Sequence, residues 1–83
     1  MATTLRVYSK DNCPHCTILK SKLELWGYEY ETINISEDVD GAFFLKEKGH
    51  RSVPQLYNND NHVNYGDTKT LDRDSLETAI ALS

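Results

Sequence analysis

Apolar positions recur along this chain with two rhythms, every second residue in some stretches and every third or fourth in others. Between Thr4 and Ser9, Leu5 and Val7 alternate with polar neighbours and Tyr8 adds β propensity, which predicts a strand. From Pro14 the rhythm changes. Cys16, Leu19, Leu23 and Trp26 then follow at helical spacing and form one apolar stripe. Pro14 suits a first helical position, where a missing N–H is no loss, and Gly27 is placed to end the helix. Alternation resumes over Tyr28–Ile35, with Tyr28, Tyr30, Thr32 and Asn34 opposite Ile33 and Ile35, a second strand.

Ser36 is expected to cap a second helix, with Glu37 and Asp38 complementing its positive end and Lys46, Lys48 and Gly49 closing the other. Val39, Ala42, Phe43 and Leu45 supply its expected buried side. Val53–Tyr57 reads as a short third strand, Asn58–Asn61 is dense in turn formers, and His62–Tyr65 can return as a hairpin partner. Leu76, Ala79 and Ile80 mark a last helix over Asp72–Leu82, with Asp72 or Asp74 near its start. The order is β-α-β-α-β-β-α. A strand, a crossover helix and a strand make a right-handed parallel unit, and a terminal hairpin adds antiparallel strands to it. The pattern predicts a compact α/β domain with helices over the faces of the sheet.

Length and charge narrow the setting. At 83 residues the chain is expected to be one small domain. Its apolar runs stay well short of the ~20 residues of a membrane span, and its beginning lacks the basic-then-apolar order of a signal peptide. A cytoplasmic protein without a membrane association is therefore expected. A formal net charge of -4 argues against nucleic acid, whose phosphates call for a dense basic face.

The chain has two cysteines, Cys13 and Cys16, flanking Pro14 and His15. In a reducing compartment such a pair points to redox chemistry or metal binding rather than to a structural staple. Metal binding needs further ligands. The sequence has no second Cys-x-x-Cys, and His15, His50 and His62 lack zinc-finger spacing, so no metal is expected. A thiol attacks a disulfide only as thiolate, and a free thiol of pKa ~8.5 is about 3% ionised at pH 7. The N-terminus of a helix lowers that pKa, because unpaired N–H groups and the macrodipole favour the anion. The predicted strand-to-helix turn puts Cys13 there. Cys16, one turn deeper, is within disulfide reach and more buried. Cys13 is thus the expected nucleophile and Cys16 the resolving thiol, with Lys10 a nearby positive charge. Two roles are open to His15: an imidazolium that stabilises the thiolate, or a solvated side chain that touches substrate.

The stretches Val7–Cys16 (VYSKDNCPHC), Ser52–Tyr57 (SVPQLY) and Tyr65–Thr68 (YGDT), in this element order, resemble the glutaredoxin family of the thioredoxin-fold superfamily. The resemblance implies a four-stranded mixed sheet, an active site at the start of the first helix, and a cis Val53–Pro54 peptide facing the cysteines. It implies a glutathione groove in which backbone at Ser52 and Val53, beside Pro54, pairs with the peptide part of the ligand as an added strand would. Lys10 and His15 match positions that can touch glutathione. Gly66 and Asp67 match those that hold its γ-glutamyl end, with Thr68 as a helper and Arg51 as an added attraction for anions. Three departures stand out. Pro-His replaces the Pro-Tyr of many members, Asn64-Tyr65 replaces a Gly-Gly pair and is expected to narrow the groove, and Ser52 replaces a threonine.

The expectation is a monomeric dithiol glutaredoxin with no tightly bound cofactor. Glutathione is its reducing co-substrate, and its clients are protein disulfides or glutathione mixed disulfides, ribonucleotide reductase among them. One alternative keeps the chemistry and changes the electron source to thioredoxin reductase, which the altered Gly-Gly region favours. Another is a non-enzymatic carrier of an iron–sulfur cluster, which the proline after Cys13 disfavours.

Overall fold

The computed structural model describes residues 5–83. Among them the elements run β1 (Leu5–Ser9), α1 (Pro14–Leu25), β2 (Tyr30–Asn34), α2 (Val39–Glu47), β3 (Gln55–Asn58), β4 (Asn61–His62) and α3 (Arg73–Leu82). The strands form one mixed sheet in the order β2-β1-β3-β4, with β1 parallel to β2 and antiparallel to β3. This is the expected thioredoxin-like topology. The expected start of β1 at Thr4 lies outside the described residues.

β1 occupies the middle of the sheet. Leu5, Val7, Tyr8 and Ser9 are all buried, because helices cover both faces. On one face Leu5, Val7, Leu56 and Val63 pack with Leu19 and Leu23 of α1 and Leu76 and Ala79 of α3. On the other, Tyr8 and Tyr57 meet Leu45 of α2, with Phe44, Ile33 and Ile35 at the margin. The α1 stripe is buried as expected at Cys16, Leu19 and Leu23, and the helix ends before Gly27, whose φ of 77° a side chain would resist.

The second helix departs from expectation at its start. Its cap is Asp38, whose side chain accepts the Gly41 N–H at 3.0 Å, while the Ser36 hydroxyl accepts the N–H of Asp11 in the turn before α1. The buried face shifts accordingly. Gly41, Leu45 and Phe44 turn inward, whereas Val39 and Phe43 are 79% and 60% exposed. Gly41 lies so close to β2 that a Cβ there would stand 2.6 Å from Ile33 Cγ2.

β3 begins at Gln55, two residues later than expected, after a cis Val53–Pro54 peptide. The hairpin turns at Asn59-Asp60, pairing Asn58 with Asn61 and Tyr57 with His62. Asn59 takes the left-handed conformation the turn requires, with φ 56°. α3 is capped by Asp72, whose carboxylate accepts the Ser75 N–H at 2.7 Å and is held below the usual carboxylate range by that bond. No described helix is long and apolar enough to cross a membrane.

Candidate active site

The chain leaves β1 at Ser9, turns through Asp11 and Asn12, and enters α1 at Cys13. Asn12 is left-handed (φ 55°), a conformation asparagine tolerates better than most residues. The Asp11 carboxylate accepts from the Asn34 side chain at 2.8 Å and its N–H donates to Ser36, so the turn is pinned to the end of β2. Cys13 is the N-cap of α1. Its Sγ accepts the Cys16 N–H at 3.2 Å, and its carbonyl accepts from the Thr17 N–H and hydroxyl. A sulfur at this place meets the partial positive charge of the helix end, which favours an anion.

Cys13 and Cys16 are disulfide-bonded, with Cα atoms 5.3 Å apart. Cys13 is half-buried and Cys16 is 2% exposed. The sulfur an incoming thiol or disulfide can reach is therefore Cys13, with Cys16 beneath it. Cys13 Sγ also lies 4.0 Å from the Val53 carbonyl oxygen, so the segment before Pro54 faces the cysteine pair from across the sheet.

A groove of about 350 Å³ opens at this place, and its lining brings together most of the expected ligand-binding residues. His15, Ser52, Val53, Pro54, Gly66, Asp67 and Thr68 all border it. Lys10 and Arg51 are exposed and stand outside that lining. Thr68 is buried, and its hydroxyl shares a hydrogen bond of 3.2 Å with the Tyr65 hydroxyl. Tyr65 packs its ring against the aliphatic core while remaining part of the groove wall, and burial pushes its phenol upward from the ordinary range. The Asp67 carboxylate accepts the Lys69 N–H at 2.9 Å, which leaves its second oxygen for a ligand.

Two residues that the sequence reading passed over belong to the same wall. The Gln55 side-chain amide donates to the Ser52 carbonyl at 2.9 Å, and its oxygen accepts from His62 Nε2 at 2.9 Å. Because a carbonyl only accepts, this chain fixes both the amide orientation and a proton on His62 Nε2. His62 stands beside His50, ring centroids 4.7 Å apart, and His50 in turn shares a 2.8 Å hydrogen bond with Tyr57. Burial, and then the neighbouring His50, pull the His62 imidazole below its ordinary value. Only the hairpin register of Tyr57 opposite His62 could have revealed this pairing. Among the described residues no cluster of three or more His, Cys, Asp or Glu side chains could hold a metal.

A mixed sheet in this order, with a Cys-x-x-Cys at the head of the first helix and a cis proline facing it, defines a thiol–disulfide oxidoreductase fold. The glutaredoxin family profile matches residues 5–63, and the chain belongs to that family. It is 31% identical over 51 residues to the glutaredoxin-like protein NrdH of Salmonella typhimurium, a match covering 61% of this chain and 63% of that protein. Thus the chain spans less than two-thirds of that relative's length. Among solved structures, the buckwheat glutaredoxin–glutathione complex superimposes with a TM-score of 0.69 at 25% identity, covering 96% of this chain and 74% of the other. The NrdH-redoxin of Escherichia coli, described as having a thioredoxin-like activity profile, gives a TM-score of 0.67 at 25% identity. That match covers 71% of this chain and 78% of the redoxin.

Proposed function

We propose that this protein is a glutathione-dependent dithiol oxidoreductase of the cytoplasm, acting as a monomer on protein disulfides or glutathione mixed disulfides. The observation that carries the reading is Cys13 as the N-cap of α1, its sulfur beside the Val53 carbonyl at the end of a groove lined by Ser52–Pro54 and Gly66–Thr68. The Cys13 thiolate attacks one sulfur of the client disulfide. That S–S bond breaks, and the departing thiolate takes up a proton. The thiolate of Cys16 then attacks Cys13 Sγ, releasing the second client thiol and leaving the Cys13–Cys16 disulfide. Two glutathione molecules reverse the cycle: the first forms a mixed disulfide on Cys13, and the second displaces it as glutathione disulfide. The groove offers the peptide part of glutathione the backbone at Ser52–Val53, beside Pro54, and Asp67 offers a carboxylate to its free amino group. His15 borders both the groove and the cysteine pair, a place from which it contacts the ligand.

A coupled assay with glutathione and glutathione reductase should show turnover that Cys13→Ser abolishes. Cys16→Ser should keep deglutathionylation, which needs only the nucleophile, and lose reduction of protein disulfides. Absence of turnover in the wild type would refute the reading. A second reading rests on the likeness to the NrdH proteins and on Asn64-Tyr65 in place of Gly-Gly: the same thiol chemistry fed by thioredoxin reductase, with ribonucleotide reductase as client. Replacing glutathione and its reductase with thioredoxin reductase in the same assay separates the two.

A further inference from the structure

The wall of the groove at Gly66–Thr68 continues into a turn over residues 68–70 and then to Leu71 and α3. Such a turn presents backbone carbonyls that its own short span cannot satisfy. Here one side chain collects them. Lys22, on α1, donates from Nζ to the carbonyl oxygens of Thr68 at 2.7 Å, Leu71 at 2.8 Å and Lys69 at 3.2 Å. An ammonium carries three protons, so these three bonds use every donor it has. Hydrogen bonds from a charged donor are stronger than neutral ones, and these cross 46 to 49 residues of chain.

The turn is also closed from within. Tyr65 and Thr68 join hydroxyls, and Asp67 holds the Lys69 N–H. What those local bonds cannot do is set where the turn lies relative to the cysteines. Lys22 does that, because its helix is the one Cys13 caps. The ammonium borders neither the groove nor the sulfurs, so it takes no part in binding or chemistry itself.

We propose that Lys22 is a positioning residue that ties the Gly66–Thr68 wall to the nucleophile's helix. It thereby sets how far the amino-acid end of a bound γ-glutamyl thiol lies from Cys13 Sγ, an inference that rests on the glutathione reading above. Lys22→Met keeps the aliphatic stem and leaves three carbonyls without their donor, whereas Lys22→Arg keeps a cation with several donors.

The test is steady-state deglutathionylation alongside insulin reduction driven by dithiothreitol, in which no glutathione enters. Lys22→Met should raise KM for the glutathione mixed disulfide about tenfold, with kcat and insulin reduction within about twofold of wild type. Lys22→Arg should recover most of the loss. Amide hydrogen exchange in Lys22→Met should quicken over residues 67–71 and stay unchanged in β1. An unchanged KM, or a fall in insulin reduction parallel to the glutathione defect, would overturn the proposal. Should Lys22→Met fail to fold, Lys22→Gln makes the same comparison with two amide donors. A wild type inert toward glutathione refutes the parent reading alone. Exchange over 67–71 then decides the role of Lys22: quickened exchange confined to that segment upholds the tether, and unchanged exchange refutes it.

Discussion

On one face of the sheet, Leu5, Val7, Leu56 and Val63 lie under two helices and leave almost nothing exposed. On the other, Tyr8 and Tyr57 lie under α2 alone, with the Phe44 ring stacked on Tyr8 at 5.3 Å and edge-on to Tyr57 at 5.1 Å. The first face is aliphatic and closed. The second is aromatic and passes at its margin into the imidazoles of His50 and His62. The difference separates two tasks. α1, which carries the cysteines, rests on the closed face, where interdigitated side chains hold a helix in one position. The aromatic face carries Gln55 and His62, which reach the groove wall with polar groups that an aliphatic layer could not have satisfied.

The contrast can be broken by mutation. Leu23→Ala, on the closed face, should lose about 2–5 kcal/mol in urea unfolding, because the site is fully buried under neighbours that relax only partly. Phe44→Ala should lose about half as much, since its ring is only half-buried. A larger loss at Phe44 would reverse the ranking of the two faces. Gly41→Ala should lose about 1–3 kcal/mol, an effect of the same size as Phe44→Ala, through the clash of the new Cβ with Ile33. In an Ile33→Ala background the same change should lose markedly less, and a double-mutant cycle measures that coupling.

The smallest effect concerns pH. The folded state holds the His62 pKa below its ordinary value, so below about 6.5 the unfolded chain binds a proton that the fold resists. Stability from this group is present above that pH and declines as pH falls toward the folded pKa. His62→Gln should flatten this part of the stability–pH curve, and an unaltered slope would count against the burial and His50 as its causes.

The two faces also mark what was legible in the sequence. The stripe Cys16, Leu19, Leu23 and an aspartate at the start of α3, Asp72 or Asp74, were readable because each depends on residues within a few positions of itself; the structure makes Asp72 the cap. The start of α2 was not. Ser36 and Asp38 are both good caps, and the choice fell to Asp38 because Asp11, far back in the chain, takes the Ser36 hydroxyl. That displaced the predicted face and exposed Val39 and Phe43. In the site, Cys13, Cys16 and the Ser52–Pro54 segment were found through local motifs and a resemblance. Gln55, His62 and Lys22 act through bonds that a hairpin register or a helix crossing creates, which no local pattern encodes.

The position of β1 in the middle of the sheet has a bearing on how the molecule is assembled. Residues 5–47 make a strand–helix–strand–helix half whose parallel strands join through α1, and residues 55–82 make a hairpin and a helix. The two halves meet in the sheet where β1 pairs with β3, and the packing of α1 against α3 and of Tyr57 against α2 continues that seam. Cys13 and His15 belong to the first half, the Gly66–Thr68 wall belongs to the second, and Ser52–Pro54 lies just before it; the bonds of Lys22 cross between the halves, and Sγ approaches Val53 at their junction. Neither half owns the site. It exists only where the two are joined, so thiol–disulfide turnover reports that the seam is closed.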